Sequence, residues 1–242
     1  MQVVDKIDLA AMALNELVAN KRHVSSFLDR SEDVQALCNA VLTDDETSQI
    51  QIIDSIIENG ITIKEVYECF IPEAAALLGI YWEESRISFY EVSLGSQRLQ
   101  KLARVFEKNY LGSFYSFGPG PEVMLVLPEG ELHMLGLVLA AGMFRKEGAN
   151  PSLSIGRPFE EVLDEMRIRK FSLIGVSLVN KDNVGSAISF AKKIKSYFNK
   201  TPLVLGTRIN SLELSSEDLE VFDLITPNPK DALRYLEVNP CQ

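Results

Sequence analysis

The spacing of apolar residues changes once along the chain, and that change fixes what it can fold into. Up to about residue 115 they recur at helical intervals: Leu9, Met12, Ala13 and Leu17, then Ile53, Ile56 and Ile57, then Leu94, Leu99, Leu102 and Phe106. Each set lines one face of a helix. Asp44 or Asp45, and later Thr62, stand where helices start. The stretch GSFYSFGPGPE (112–122) then intervenes, and its alternating glycines and prolines end a helix and mark a linker. Beyond it come short continuous apolar runs: EVMLVLP (122–128), SLSIG (152–156), FSLIGVSL (171–178), PLVLG (202–206) and FDLIT (222–226). Such runs read as strands buried on both faces. Helical patterns separate them at 134–147, 158–169 and 183–198, with a shorter one near 215–220 and a last one at 229–236.

Strand and helix in alternation predict an α/β fold: a five-stranded parallel sheet with helices on both faces, Rossmann-like or flavodoxin-like, preceded by a helical bundle. The expected division is a helical arm at 1–44, a helical bundle at 45–115, a linker at 116–121 and a Rossmann-like domain at 122–242. The arm serves either as an extension or as a dimerisation element, so a homodimer stays open.

The net charge of −10 argues against direct nucleic-acid binding, because such affinity comes largely from Lys and Arg displacing counterions at phosphates. The basic runs Lys192-Lys193-Ile194-Lys195 and Arg167-Ile168-Arg169-Lys170 fall in helical contexts and read as solvated faces. Three cysteines (Cys38, Cys69, Cys241) lack metal-ligand spacing and suit a reducing, cytoplasmic setting. No apolar stretch reaches the ~18 residues of a membrane span. The N-terminus shows no signal pattern.

Ligands of open α/β sheets bind beyond the carboxyl ends of the strands, where strand order reverses. The loop after the first strand is PEGELHMLG, without a dinucleotide fingerprint and without a P-loop. It holds Glu131, His133 and Gly136 as Glu-x-His-x-x-Gly. His133 is one of only two histidines in the chain. A neutral imidazole binds a metal through one nitrogen while a carboxylate accepts from the other, which fixes the tautomer. Taken alone, the motif also describes a surface histidine in a polar loop. Ser177 closes the third strand, and Gly206 and Thr207 the fourth. Small residues there open a slot, or simply permit close helix–sheet packing.

Together, and in this order, these residues resemble the cobalamin-binding domain of methionine synthase, corrinoid proteins and light-sensing regulators. That family's pattern is Asp-x-His-x-x-Gly, then Ser-x-Leu, then Gly-Gly. This chain has Glu131 for Asp, Ser177 followed by Val179 where Leu is expected, and Gly206-Thr207 for Gly-Gly. The resemblance implies His133 as lower axial ligand to the metal, Glu131 as its partner, and Gly136, Ser177, Gly206 and Thr207 around a nucleotide tail.

The preceding stretch LLGIYWEESRISFYEVSLGSQRLQKLARVF (77–106) resembles the four-helix cap of cobalamin photosensors. It keeps Trp82 but has Val92-Ser93 where that cap carries Glu-His, so this helix supplies no upper histidine. With Phe89, Gly95, Arg98 and Leu99 it is similar to the PpaA/AerR-type antirepressors of photosynthesis gene control, and to the related "sensor containing heme instead of cobalamin" domains. An aromatic pair at this spacing also suits a helical core.

The function this resemblance implies is a non-enzymatic cytoplasmic sensor. It would bind cobalamin, or alternatively heme, between helical cap and Rossmann-like domain, with Trp82, Phe89 and Val92 on the cap side. Light, redox state or ligand supply would be signalled to a DNA-binding transcription regulator. A corrinoid protein serving a methyltransferase is the other reading. A module that has lost its ligand would show apolar side chains filling the cleft above His133.

Overall fold

A computed structural model describes residues 31–112, 118–208, 218 and 220–238. Residues 1–30 of the expected arm, His23, Cys241 and all but fragments of the 215–220 helical pattern lie outside these. The described chain forms two compact units. One contains residues 31–62 and 69–98; the other contains residues 63–68 and, from Leu99 on, the rest.

In the first unit, α1 (31–42) and α2 (Glu46–Glu58) are joined by a short turn. Asp45 caps α2, its carboxylate accepting from the Thr47 and Ser48 amides. That side chain satisfies donors the helix cannot pair internally. Helix α4 (Ile71–Glu83) follows, then the first half of α5 (Phe89–Leu111). Leu37, Cys38, Val41, Ile53, Ile56, Ile71, Ala74 and Leu78 are buried. Gly95 of α5 lets that helix lie against Leu78, whose Cδ1 would be 2.8 Å from a Cβ there. Arg98 donates to the Val41 carbonyl and to Asp44.

In the second unit, parallel strands β1 (Glu122–Leu127), β2 (Asn150–Ile155), β3 (Leu173–Ser177), β4 (Leu203–Gly206) and β5 (Leu224–Thr226) lie in the order 2-1-3-4-5. This is the flavodoxin-like order. Helices α6 (Met134–Lys146), α7 (Phe159–Ile168), α8 (Val184–Tyr197) and α9 (Pro229–Val238) cover the two faces. Along β1 the side chains alternate between two cores. Met124 and Val126 pack with Val162, Ala187 and Ala191 of α7 and α8; Val123, Leu125 and Leu127 pack with Leu137, Ala141 and Ala232 of α6 and α9. The central strands are buried on both faces, as their unbroken apolar runs require.

β2 departs from that expectation, since Leu153 and Ile155 keep more than a third of their surface. Its place at the sheet edge leaves them short of neighbours. The GPGP stretch is tied down: Gly120 lies against the Gly148 backbone, and the Asn150 amide reaches the Gly118 and Gly120 carbonyls.

Residues 63–68 and 99–111 pack on α6. A short helix α3 (Ile63–Glu65) leads into a π-helical turn, Val66–Phe70, that presents Tyr67 and Glu68 to the second unit. Tyr67 stacks on Tyr110 of α5, with centroids 4.1 Å apart and planes within 9°.

Candidate functional site

Strand order reverses between β1 and β3, and the loops leaving these two strands meet at their carboxyl ends. The first is Pro128–His133, ending where His133 occupies the position before α6. The second is Leu178–Asn183, closed by a single 3-10 turn, Lys181–Asn183, which Asn180 caps by accepting from the Asp182 amide.

Glu131 joins the two loops. Its side chain has no solvent exposure, whereas the His133 side chain is 57% exposed. Oε1 accepts from the Leu132 amide at 3.0 Å, the His133 amide at 3.1 Å and the ring nitrogen Nδ1 of His133. Oε2 accepts from the Asn180 amide at 3.2 Å, the Asn183 side-chain amide at 3.2 Å and, more weakly, the Val179 amide at 3.4 Å. Burial alone would raise the Glu131 pKa. The bonds from His133, Asn183 and Asn180 outweigh it and hold the carboxyl at about 2.

An ionised carboxylate can only accept, so Nδ1 carries the proton. In the tautomer that this bond selects, Nε2 carries the free lone pair of an exposed imidazole. The arrangement makes His133 a fixed, basic nitrogen donor aimed out of the fold.

The surroundings suit a flat apolar partner. Leu132 is 79% exposed and Val179 48% exposed, beside the histidine in the two loops. Gly136, in the first turn of α6, is exposed, and a Cβ built on it meets nothing within 4 Å. Close packing within the protein therefore does not account for this glycine. Ser177 and Gly206 are direct register partners on β3 and β4, and Thr207 is buried just beyond. Of the residues predicted from sequence, the structure joins Glu131 to His133 and Ser177 to Gly206. Trp82 and Phe89 meet edge to face in the first unit, with centroids 6.4 Å apart. They are 48% and 68% exposed, so neither is a core residue. Val92 is half-buried.

Asn183 was not foreseen. It holds the position before α8 yet makes no side-chain capping bond there; its Nδ2 donates to Glu131 and to the Gly130 carbonyl. The polar run VNKDN directly after the third strand was the signal available in the sequence.

No family model matches the chain. Over 136 residues, 56% of this chain and 71% of the relative, it is 25% identical to an uncharacterized 20.5 kDa protein of the bchF–crtJ intergenic region in Rhodobacter capsulatus. The monomethylamine corrinoid protein of Methanosarcina barkeri matches with a TM-score of 0.68 at 14% identity, covering 86% of this chain and 99% of that one. This chain has the corrinoid-protein fold. A cobalamin-binding protein from Desulfitobacterium hafniense also matches, with a TM-score of 0.42 at 15% identity over 87% of this chain and 98% of that one. Within the corrinoid-protein fold the site lies at the crevice where open α/β sheets take ligands. Among the described residues no helix is long and apolar enough to cross a membrane.

Proposed function

We propose that the chain is a non-enzymatic regulatory sensor that binds cobalamin through His133 and reports its state to a DNA-binding transcription regulator. The observation that carries the ligand half is the Glu131–His133 pair: a buried carboxylate fixes the tautomer, and an exposed ring offers Nε2. Among the described residues no three His, Cys, Asp or Glu side chains gather to hold a metal ion. A metal bound at His133 would take its remaining donors from outside these side chains, as a macrocycle supplies them.

The residues present fit such a group. His133 would hold the metal, Leu132, Val179 and Gly136 would lie against the ring, and Ser177, Gly206 and Thr207 would line the tail slot. When bound, cobalamin would supply a cobalt centre whose ligation changes with light or oxidation state. The protein's part is to hold the His133 ring oriented, with Nδ1 on Glu131 and Nε2 outward, and to tie any movement of His133 to both loops through Glu131. The PpaA/AerR resemblance and the relative from the bchF–crtJ region favour the regulatory half. The net charge of −10 favours a basic protein partner over DNA itself. The likeness to a monomethylamine corrinoid protein supports a second reading, a carrier serving a methyltransferase.

Purified protein mixed with hydroxocobalamin or hemin and passed through gel filtration tests the ligand. Retained cobalamin absorption is expected, with hemin lost; retention of hemin alone moves the proposal to heme, and retention of neither ends it. Complex formation with the regulator that differs between light and dark supports the sensor. Methyl transfer by the methylcobalamin-loaded protein to a thiol acceptor, with a methyltransferase present, supports the carrier. Gly136→Ala gives a sharper check. The added methyl meets only open space in the free protein, so thermal stability is expected to hold or to rise by about 0.5 kcal/mol from helix propensity. Cobalamin affinity is expected to fall, since the ligand uses that space; unchanged affinity would place the ring elsewhere.

A further inference from the structure

Among the described residues two buried side-chain oxygens have no partner, Ser154 Oγ and the Tyr67 hydroxyl. A buried unpaired hydroxyl in a native fold calls for an explanation. Tyr67 is 1% exposed, and its hydroxyl lies 2.1 Å from where a Cβ on Gly142 would be, so only glycine fits at that point of α6.

The same end of α6 is held at three further places. Arg145 pairs with Glu107 of α5 at 2.5 Å. Lys146 donates to the Leu111 carbonyl at 2.9 Å and sits over the Tyr110 ring. Glu147, just past the helix, pairs with Lys230, which also faces Glu68 at 3.6 Å. Tyr110 in turn donates to Glu68 at 2.8 Å. Residues 63–68 and 99–111 therefore form a strap across the far end of the helix whose near end is His133.

The phenol of Tyr67, its ionisation pushed up first by burial, also feels Glu107 and Arg145 in opposite senses. Arg145 stands one helical turn beyond Gly142 on the same face of α6, which brings the Glu107 carboxylate it holds to the side of the helix where the phenol lies.

We propose that α6 is a two-position lever between His133 and the strap, in which Glu107 is shared between Arg145 and the Tyr67 hydroxyl. In the arrangement described, Arg145 holds Glu107 and Tyr67 goes without. A small shift of α6 that draws Arg145 away gives the hydroxyl its acceptor, so loss of one bond is offset by gain of another. Packed elements with two such arrangements turn sub-ångström displacements into discrete states. This lever rests on the proposed ligation of His133 for its stimulus, though not for its existence.

Tyr67→Phe in the full chain tests it, with one ligand-free and one loaded arm. Without ligand, the wild type is expected to show microsecond–millisecond exchange by NMR relaxation dispersion at the α6 first turn and at the strap, with one common rate. The variant is expected to lose that exchange and to melt about 3 °C higher, since it no longer buries an unpaired hydroxyl. Flat dispersion in the wild type, exchange that survives in the variant, or a lower Tm would each overturn the lever. With hydroxocobalamin bound, amide protection of the strap is expected to change in the wild type and to stay fixed in the variant; an unresponsive wild-type strap also overturns it. If the wild type binds no cobalamin, the sensor proposal fails and the ligand-free arm still decides the lever.

Discussion

Glu131→Ala is expected to lower stability by about 3 kcal/mol, because it strips a common acceptor from several part-buried N–H donors at once. The Asn180 and His133 amides would lose it, and the Asn183 side chain would keep only the Gly130 carbonyl. Cobalamin affinity is expected to fall a further 10–100-fold, the usual consequence of removing the carboxylate behind a ligating histidine. The pH dependence follows from the depressed carboxyl. Its folded pKa of about 2 lies below the ordinary 4.5, so its stabilisation is complete above that ordinary value and drains away as pH falls toward 2. Urea unfolding from pH 5 to 2 should show a steeper loss of stability in the wild type than in the variant, where Asp45 and Glu91 still contribute. Parallel curves would mean that the two loops are held by something other than this carboxylate.

Gly120→Ala is expected to be as damaging, for an unrelated reason. Its Cβ would sit 1.9 Å from the Gly148 carbonyl oxygen and 3.1 Å from the carbonyl carbon. Both atoms are backbone and cannot swing aside. Gly148 is itself pinned in a left-handed turn at φ 85°, with its amide on the Arg145 carbonyl and the next amide on Phe144. The segment entering β1 must move instead, at a cost of about 3 kcal/mol. A fall in the urea midpoint at constant m-value checks this. Cobalamin affinity of the folded fraction should not change, because the clash lies at the amino end of the sheet. Wild-type stability in the variant would mean that the GPGP stretch is free of α6 and β2 in solution.

These two residues also show how far the sequence could be read. Gly120 was legible as a helix stop, since glycine and proline act locally. Its contact with Gly148 was not, because a backbone approach leaves no trace in residue pattern. The strands and helices of the second unit were legible from periodicity, β1 most clearly, because its apolar run is short and bounded by GPGP and PEG. β2 misled in one respect: edge position is a property of topology, and SLSIG carries no mark of it.

At the site, Glu131 and His133 could be paired from two-residue spacing and the chemistry of imidazole ligation. The reach of Glu131 to Asn183 spans 52 positions and joins loops that only the strand order 2-1-3-4-5 brings together. Asn183 looks, in sequence, like an ordinary helix cap, and only the geometry shows its amide turned elsewhere. Tyr67 was hidden by the π-helical turn, which changes the face that a regular helix would have presented.

The central claim is that the Nε2 of His133 binds the metal. Electron paramagnetic resonance of the cob(II)alamin-loaded protein, grown once with ordinary and once with 15N-labelled histidine, tests it without relying on affinity. A nitrogen donor on the axial position splits the cobalt lines into triplets for 14N and doublets for 15N. The account predicts doublets in the labelled protein and triplets in the unlabelled one. Triplets in both would show that the cofactor's own base, and not His133, occupies that position.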